Sequence, residues 1–258
     1  MDGTGQGSCP MIPEDGYLKT AGIIIIGNEI LSGKVRDTNS SYLASELRDL
    51  GISLRRISVI PDDAEIIGRE TASYSGRYDH VFTSGGIGPT HDDVTMEGIA
   101  RGFGVKVIKH PELVKYFQWR YGDRLNAAVM KMAEVPEGAG IIDQGDRSFP
   151  LVSFKNIFIF PGIPRYLEEK FAAIKERFRC PACHLKRLFL KANESDIAES
   201  LNGVVARNTE VTFGSYPILE NPEYTVIVTA ESMSPDALDT AVAELLRGLP
   251  RDILVRVE

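Results

Sequence analysis

Three cysteines, Cys9, Cys180 and Cys183, are too few and too odd in number to build a disulfide framework, and they point to reduced thiols in a cytoplasm. A basic surplus is missing as well. Lys and Arg number 29 against 36 Asp and Glu, a formal net charge of −7, which argues against gripping a nucleic-acid backbone over a broad surface. No apolar run approaches the roughly 18–20 residues that cross a bilayer; the longest, Ala21–Ile26, has the length of a strand. The Gly-rich, acidic segment Met1–Tyr17 lacks the basic start and apolar centre of a secretory signal. No repeat and no low-complexity tract is found. No nucleic acid and no membrane are therefore expected as partners, and the cytoplasm is the expected compartment.

What is present is an alternation of short apolar runs with helical patterns. Thr20–Ile26 (TAGIIII) is apolar on both faces and closed by Gly27, as in a buried parallel strand. A polar loop, Asn28–Asp37, precedes a helix over Thr38–Leu50 with Asp37 or Thr38 as its cap. Ile52–Ile60 reads as a strand, Pro61-Asp62-Asp63 opens a helix to Ser75, and His80–Thr83 is a strand running into Ser84-Gly85-Gly86-Ile87-Gly88-Pro89. A helix over Met96–Phe103, a strand at Val105–Ile108, one or two helices from Pro111 to Ala133, a turn-rich stretch Pro136–Pro150, a strand at Ile157–Phe160 and a helix from Pro164 to Phe178 complete the pattern. It predicts a three-layer α/β/α domain on a mostly parallel sheet.

Beyond Cys180-Pro181-Ala182-Cys183 the order becomes β-α-β-β-α-β, with strands at Lys186–Lys191, Val211–Tyr216, Tyr224–Ala230 and Ile253–Val257, and helices at Ser195–Ala206 and Pro235–Arg247. This predicts a small split-βαβ α+β domain. The expected division is a tail over 1–18, the large domain over 19–183 and the small one over 184–258. The small domain carries no basic run on its first helix and no Gly-x-x-Gly loop, and a dimerisation or lid role is expected of it.

Two loops leave the carboxyl ends of strands, where open α/β sheets bind ligands. After the third strand come Gly85, Gly86 and Gly88, which bare the backbone amides for an anion. Thr83, Ser84, Thr90 and Thr95 add hydroxyls, and Asp92 and Asp93 add carboxylates suited to a hard cation. The competing reading is a plain turn followed by helix-starting acids. After the first strand, Gly27 to Gly33 encloses five residues and Val35 stands where a P-loop needs Ser or Thr, so that motif is rejected. Glu29 and Asp37 in this loop read either as metal or ribose contacts, or as a solvated acid and a helix cap. Cys180-Pro-Ala-Cys183-His184 fits the c-type haem pattern, yet no export signal or distal ligand accompanies it, so no haem is expected; it is also only half a zinc site. His91 is the one histidine placed to touch a ligand.

The strings Gly27-Asn28-Glu29-Ile30-Leu31-Ser32-Gly33 with Asp37-Thr38-Asn39, Ser84-Gly85-Gly86-Ile87-Gly88-Pro89-Thr90 with Asp92-Asp93-Val94-Thr95, and Phe160-Pro161-Gly162-Ile163-Pro164 resemble, in order, three motifs of the CinA family within the MoaB/Mog molybdopterin-binding superfamily. Phe149-Pro150-Leu151-Val152-Ser153 and Gly214-Ser215-Tyr216-Pro217 resemble the molybdopterin-binding-like domain of eukaryotic FAD synthases, and the likeness covers about residues 20–258. It implies a homodimer or homotrimer. It also implies a nucleotide pyrophosphatase acting on ADP-ribose or FAD with a divalent cation, Co²⁺ or Mg²⁺, aided by K⁺. Gly85, Gly86 and Gly88 would fall on the phosphate loop and Asp92 and Asp93 on the metal side. Glu29, Asp37 and Asn39 would fall on the facing loop, with Gly27, Ser84, Thr90, Pro161 and Gly162 around the ligand. Asp92, Asp93 and Glu29 are the expected catalytic groups, with Lys34 or Arg36 as an assisting cation. The alternative is a protein that holds molybdopterin or a nucleotide without turnover. Neither the amidohydrolase domain of longer CinA proteins nor a synthase domain is found in these 258 residues.

Overall fold

A run in which every side chain is apolar needs protein on both of its faces, and β1 (Thr20–Ile26) has it. The structure, a computed structural model, describes residues 19–142, 149–180 and 184–258. In it β1 lies inside a six-stranded sheet: Ile24 and Ile26 enter one apolar layer, and Ala21, Ile23 and Ile25 the other. Each fully buried isoleucine contributes roughly 1.5–3 kcal/mol, which makes this strand the spine of the unit.

The chain then builds one strand–helix step after another. A single helical turn, α1 (Asn28–Leu31), leads to α2 (Asn39–Asp49), which buries Leu43 and Leu47. Strand β2 (Ser53–Ile60) pairs parallel with β1. Helix α3 (Ala64–Ser75) starts where the Asp63 carboxylate accepts the amides of Glu65 and Ile66. Strand β3 (His80–Ser84) pairs with the other edge of β1, and α4 (Thr95–Gly102) crosses α3 closely, since Gly68 and Gly102 leave no Cβ between the two backbones. A two-stranded antiparallel ribbon, β4 (Val107–Lys109) with β5 (Glu134–Pro136), brackets α5 (Pro111–Tyr121) and α6 (Ala127–Lys131). The sheet closes with β6 (Gly140–Ile142), β7 (Leu151–Phe154) and β8 (Ile157–Phe160), and α7 (Pro164–Ile174) follows.

The strand order is β2-β1-β3-β8-β7-β6; the first four strands are parallel and the last two antiparallel. One apolar layer holds Ile67, Ile99, Leu113 and Phe117 from α3, α4 and α5. The other holds Leu43, Leu47, Leu167 and Phe171 from α2 and α7. The arrangement is three-layered. Consecutive strands run from β1 to β2 on one side and then to β3 on the other, so the chain changes direction between β1 and β3. Ligands of open α/β sheets settle at the carboxyl ends of two such strands.

Residues Lys19–Cys180 form this unit, and residues 184–258 belong to a second. There β9 (His184–Leu190), α8 (Glu194–Arg207), β10 (Thr212–Pro217), β11 (Val226–Ser232), α9 (Pro235–Gly248) and β12 (Leu254–Val257) give an antiparallel sheet in the order β10-β11-β9-β12. Both helices cover one face over Leu188, Leu190, Val226 and Val228. Asn193 and Asp196 form a reciprocal capping box on α8, and Ser234 caps α9.

The structure departs from the sequence reading in four places. The turn-rich stretch after Pro136 contains β6, and Leu151–Phe154, which carried no strand assignment, pairs antiparallel with β8 across the tight turn at Lys155, a non-Gly residue with φ 52°. The strand expected at Val105–Ile108 joins the ribbon rather than the main sheet. The loop over Asn28–Asp37 contains α1. The helix start at residue 38 is tied by Asp37, whose carboxylate accepts both the amide and the hydroxyl of Ser40, whereas Thr38 makes no side-chain cap. The tail over 1–18 and residues Cys9, Pro181, Ala182 and Cys183 lie outside the described residues. Cys180 is a free thiol whose ionisation burial pushes up. No helix among the described residues is long and apolar enough to cross a membrane.

Candidate functional site

The sharpest feature at the β1/β3 switch is the turn that leaves Ser84. Gly85 and Gly86 have φ of 111° and 64°, a region L side chains rarely enter. Space forbids side chains there as well: a Cβ on Gly85 would stand 2.0 Å from the Ile26 carbonyl oxygen, and one on Gly86 2.4 Å from Thr95 Oγ1. The turn is pinned to α4, because Thr95 donates its amide to the Gly86 carbonyl (3.0 Å) and its buried hydroxyl to the Gly85 carbonyl (2.9 Å). Gly88 is bare for a different reason, since its Cβ would sit 2.7 Å from Asp93 Oδ2.

The amides of this turn are not equivalent. Gly85 N–H donates to the Phe160 carbonyl at 3.1 Å and extends the β3–β8 pairing. Gly27 N–H similarly goes to the Ile60 carbonyl at 3.1 Å. The anion cradle expected over Gly85–Gly88 is therefore narrower: among the described residues, only the amides of Gly86, Ile87 and Gly88 lack an acceptor in this turn. They border a pocket of about 60 Å³ lined also by Asp93, Lys131 and Glu97. At roughly 10–15 Å³ per water, it has room for a phosphate-sized group and not for an enclosed dinucleotide.

Asp93 folds back on the turn, its Oδ2 accepting the Thr90 amide (2.8 Å) and the Thr90 hydroxyl. Lys131, from α6, donates to the Thr90 carbonyl. Asp92 projects outward. The Thr90 hydroxyl beside it and its own amide, with Lys131 nearby, hold its carboxyl below the usual range. His91 is almost wholly exposed, 3.9 Å from Asp92 Oδ1. Lys34 and Arg36 lie on the facing loop, where the Lys34 amide closes on the Glu29 carbonyl.

The facing loop contributes Glu29, whose carboxyl oxygens occupy the space a Gly27 Cβ would need. Asp62, at the carboxyl end of β2, accepts the Asn28 amide at 2.8 Å. Burial raises the proton affinity of Asp62, and the charges of Glu29, Asp92 and Asp93 raise it further against the pull of the Asn28 bond. Loops from three adjacent strands thus present carboxylates to one another. Among the described residues no three of them are arranged to hold a metal ion.

On the other face of the switch, Asn39 in the first turn of α2 is 7% exposed. Its Nδ2 donates to Ser84 Oγ (2.9 Å) and to the Gly162 carbonyl (2.8 Å), while Ser84 donates to the Pro161 carbonyl (3.2 Å). Gly162 packs against Gly85, so that a Cβ on it would touch Gly85 Cα at 3.3 Å. Gly27, Asn39, Ser84, Gly85, Gly86, Gly88, Thr90, Asp93, Pro161 and Gly162 are therefore joined through one rim. Asp37 serves its own helix instead. Sequence reasoning missed Asp62 and Lys131. Asp62 was findable, because it follows a strand at the ligand-binding end of the sheet; Lys131 lies 41 residues from Thr90 with no local signal.

Two family models match the chain: "Probable molybdopterin binding domain" over residues 22–179 and "FAD synthase, middle domain" over residues 182–258. A "Probable FAD synthase" of Caenorhabditis elegans is 35% identical over 262 residues, covering 89% of this chain and 50% of its own, so the chain spans about half the length of that relative. A protein of Archaeoglobus fulgidus is 38% identical over 206 residues, 80% of this chain and 87% of its own. Among solved structures, the protein CinA of Thermoplasma acidophilum, described as of unknown function, aligns with a TM-score of 0.58 at 30% identity, over 63% of this chain and all of that one.

Proposed function

This chain belongs to the family of probable molybdopterin-binding domains, with a MoaB/Mog-like fold and an FAD synthase middle domain after it, and on that premise we propose that it hydrolyses the phosphoanhydride of a dinucleotide, ADP-ribose or FAD. The products are AMP with ribose 5-phosphate or with FMN. The observation that carries this reading is the row of acceptor-free amides, Gly86–Gly88, beside Asp93, with Asp92, Asp93 and Glu29 near enough to Asp62 to raise its proton affinity.

The donor set suits a hard divalent cation, Mg²⁺ or Co²⁺. Such ions often take only one or two carboxylates and complete their shell with water and substrate phosphate oxygens. Asp92 and Asp93 would hold the ion, which when bound neutralises anhydride charge and acidifies a water. The chain's own groups do the rest. The Gly86, Ile87 and Gly88 amides bind non-bridging oxygens and stabilise the charge that develops on them. Lys131 fixes the turn through Thr90 and adds positive charge beside it. The segments that follow β1 and β8 carry exposed Leu31, Val35, Ile163 and Tyr166, apolar surface on which a base or flavin ring would rest outside the small phosphate pocket. Purified protein with Mg²⁺ or Co²⁺ and K⁺ should release AMP from ADP-ribose or FAD. Intact substrates under every ion would refute the proposal.

A second reading is binding of molybdopterin or a nucleotide without turnover. The pocket beside the turn, about 60 Å³ and sized for a single phosphate group, suits it. A thermal shift with a pterin phosphate and none with dinucleotides would select it.

A further inference from the structure

Asn39 holds a buried acceptor that the chain leaves unused. Its amide plane is fixed by the two hydrogen bonds from Nδ2, and the Gly162 carbonyl can accept only from nitrogen, so the orientation is not interchangeable. The other edge of the amide, Oδ1, is closed to bulk water and meets no donor among the described residues. A buried unpaired acceptor costs about 1–3 kcal/mol, and native folds keep few of them. The side chain sits between the ends of β3 and β8. Asn39 opens α2, an eleven-residue helix, and is bonded to Gly162 just ahead of α7, another of eleven residues. Both helix starts stand at the β1/β3/β8 carboxyl ends, next to Gly85.

We propose that Asn39 sets specificity: its Oδ1 accepts a hydrogen bond from a sugar hydroxyl of the ligand, so that the site takes a nucleotide with a hydroxylated sugar and rejects one lacking that group. The proposal rests on the dinucleotide reading above and deepens it. A neutral hydroxyl fits better than a second phosphate, because an acceptor repels an anionic oxygen; the amides of Gly86–Gly88 take the phosphate. Sites built to pair with a substrate hydroxyl discriminate strongly against analogues without it.

The test is calorimetric binding, without divalent metal, of ADP-ribose and of analogues each lacking one sugar hydroxyl, to the full chain, to Asn39→Ala and to Asn39→Leu, which keeps the branched shape and removes the acceptor. One deoxy analogue should bind the unaltered chain at least about tenfold more weakly than ADP-ribose. That deficit should vanish in Asn39→Ala and in Asn39→Leu, neither of which has an acceptor. Equal binding of all analogues to the unaltered chain overturns the proposal, as does a deficit that survives in Asn39→Ala. If Asn39→Ala does not fold, survival of the deficit in Asn39→Leu overturns it equally. Hydrolysis of ADP-ribose with no hydroxyl dependence would remove this inference and leave the proposed activity. Hydroxyl-dependent binding with no hydrolysis in the presence of metal would do the reverse.

Discussion

The loops after β1 and β3 are written in the same residues, glycine and acid, and the fold uses them in opposite ways. After β3 the glycines are compulsory: Gly85 and Gly86 hold conformations and spaces that admit no side chain, and Asp93 is tied to the turn it follows. After β1 they are permissive. Gly33 has φ 70° but nothing within 4 Å of where a Cβ would be, and Asp37 caps the start of α2. A turn pressed against the sheet keeps its amides fixed for an anion, whereas a loop held mainly by its ends positions only what those ends bear, Glu29 and Asn39.

The contrast breaks most visibly by adding one methyl group to each loop. Gly85→Ala should destabilise the large unit by about 3–5 kcal/mol, from overpacking against Ile26 and from backbone strain, read as a large fall in the denaturation midpoint. Gly33→Ala should change stability by no more than about 1 kcal/mol, its left-handed strain being partly offset by a less flexible unfolded chain. Equal effects would mean that the two loops are equally constrained. Next in size, Asp93→Ala should lower turnover of ADP-ribose or FAD about a hundredfold or more, several kcal/mol of transition-state stabilisation. Glu29→Gln, on the looser loop, should cost less. The initial rate at saturating metal decides between them.

Which of these properties the sequence displays follows from how local their causes are. The buried strand TAGIIII, the Gly-Gly-x-Gly turn and the helix starts at Asp63, Pro111 and Pro164 depend on neighbouring residues and were readable. The antiparallel β7–β8 pair was not, because Leu151–Phe154 follows a stretch dense in turn residues and its partner is chosen by the sheet. At the site, the glycines and acids were visible, but the use of the Gly85 amide is decided by Phe160, 75 positions away, and the Lys131–Thr90 bond by the placing of α6. Asp37 shows the limit most plainly. A cap and a ribose contact want the same carboxylate at the same place in sequence, and only the bond to Ser40 tells them apart.

The looser loop can be sharpened at both ends. Asp37→Ala should remove about 1 kcal/mol of stability through the lost cap and leave turnover nearly unchanged. A large loss of activity at unchanged stability would return Asp37 to the ligand.

The smallest effect, and the most specific in sign, belongs to Asp62, which anchors the loop's start through Asn28. Its folded proton affinity is raised by burial and by Glu29, Asp92 and Asp93 from an ordinary value of 3.8. A carboxyl raised on folding binds more protons in the native than in the unfolded state, so stability falls as pH rises from 3.8 through the elevated value and stays lowered above it. Asp62→Asn keeps an oxygen for the Asn28 amide and removes the charge. The variant should therefore melt slightly higher than the unaltered chain at pH 7, with the gain fading as pH drops towards 3.8 and below. A divalent cation held among these carboxylates relieves the same repulsion, so saturating Mg²⁺ should narrow the difference at pH 7. A gain that grows in acid would mean that Asp62 is stabilised as a carboxylate, and that the acids of the three loops do not face one another.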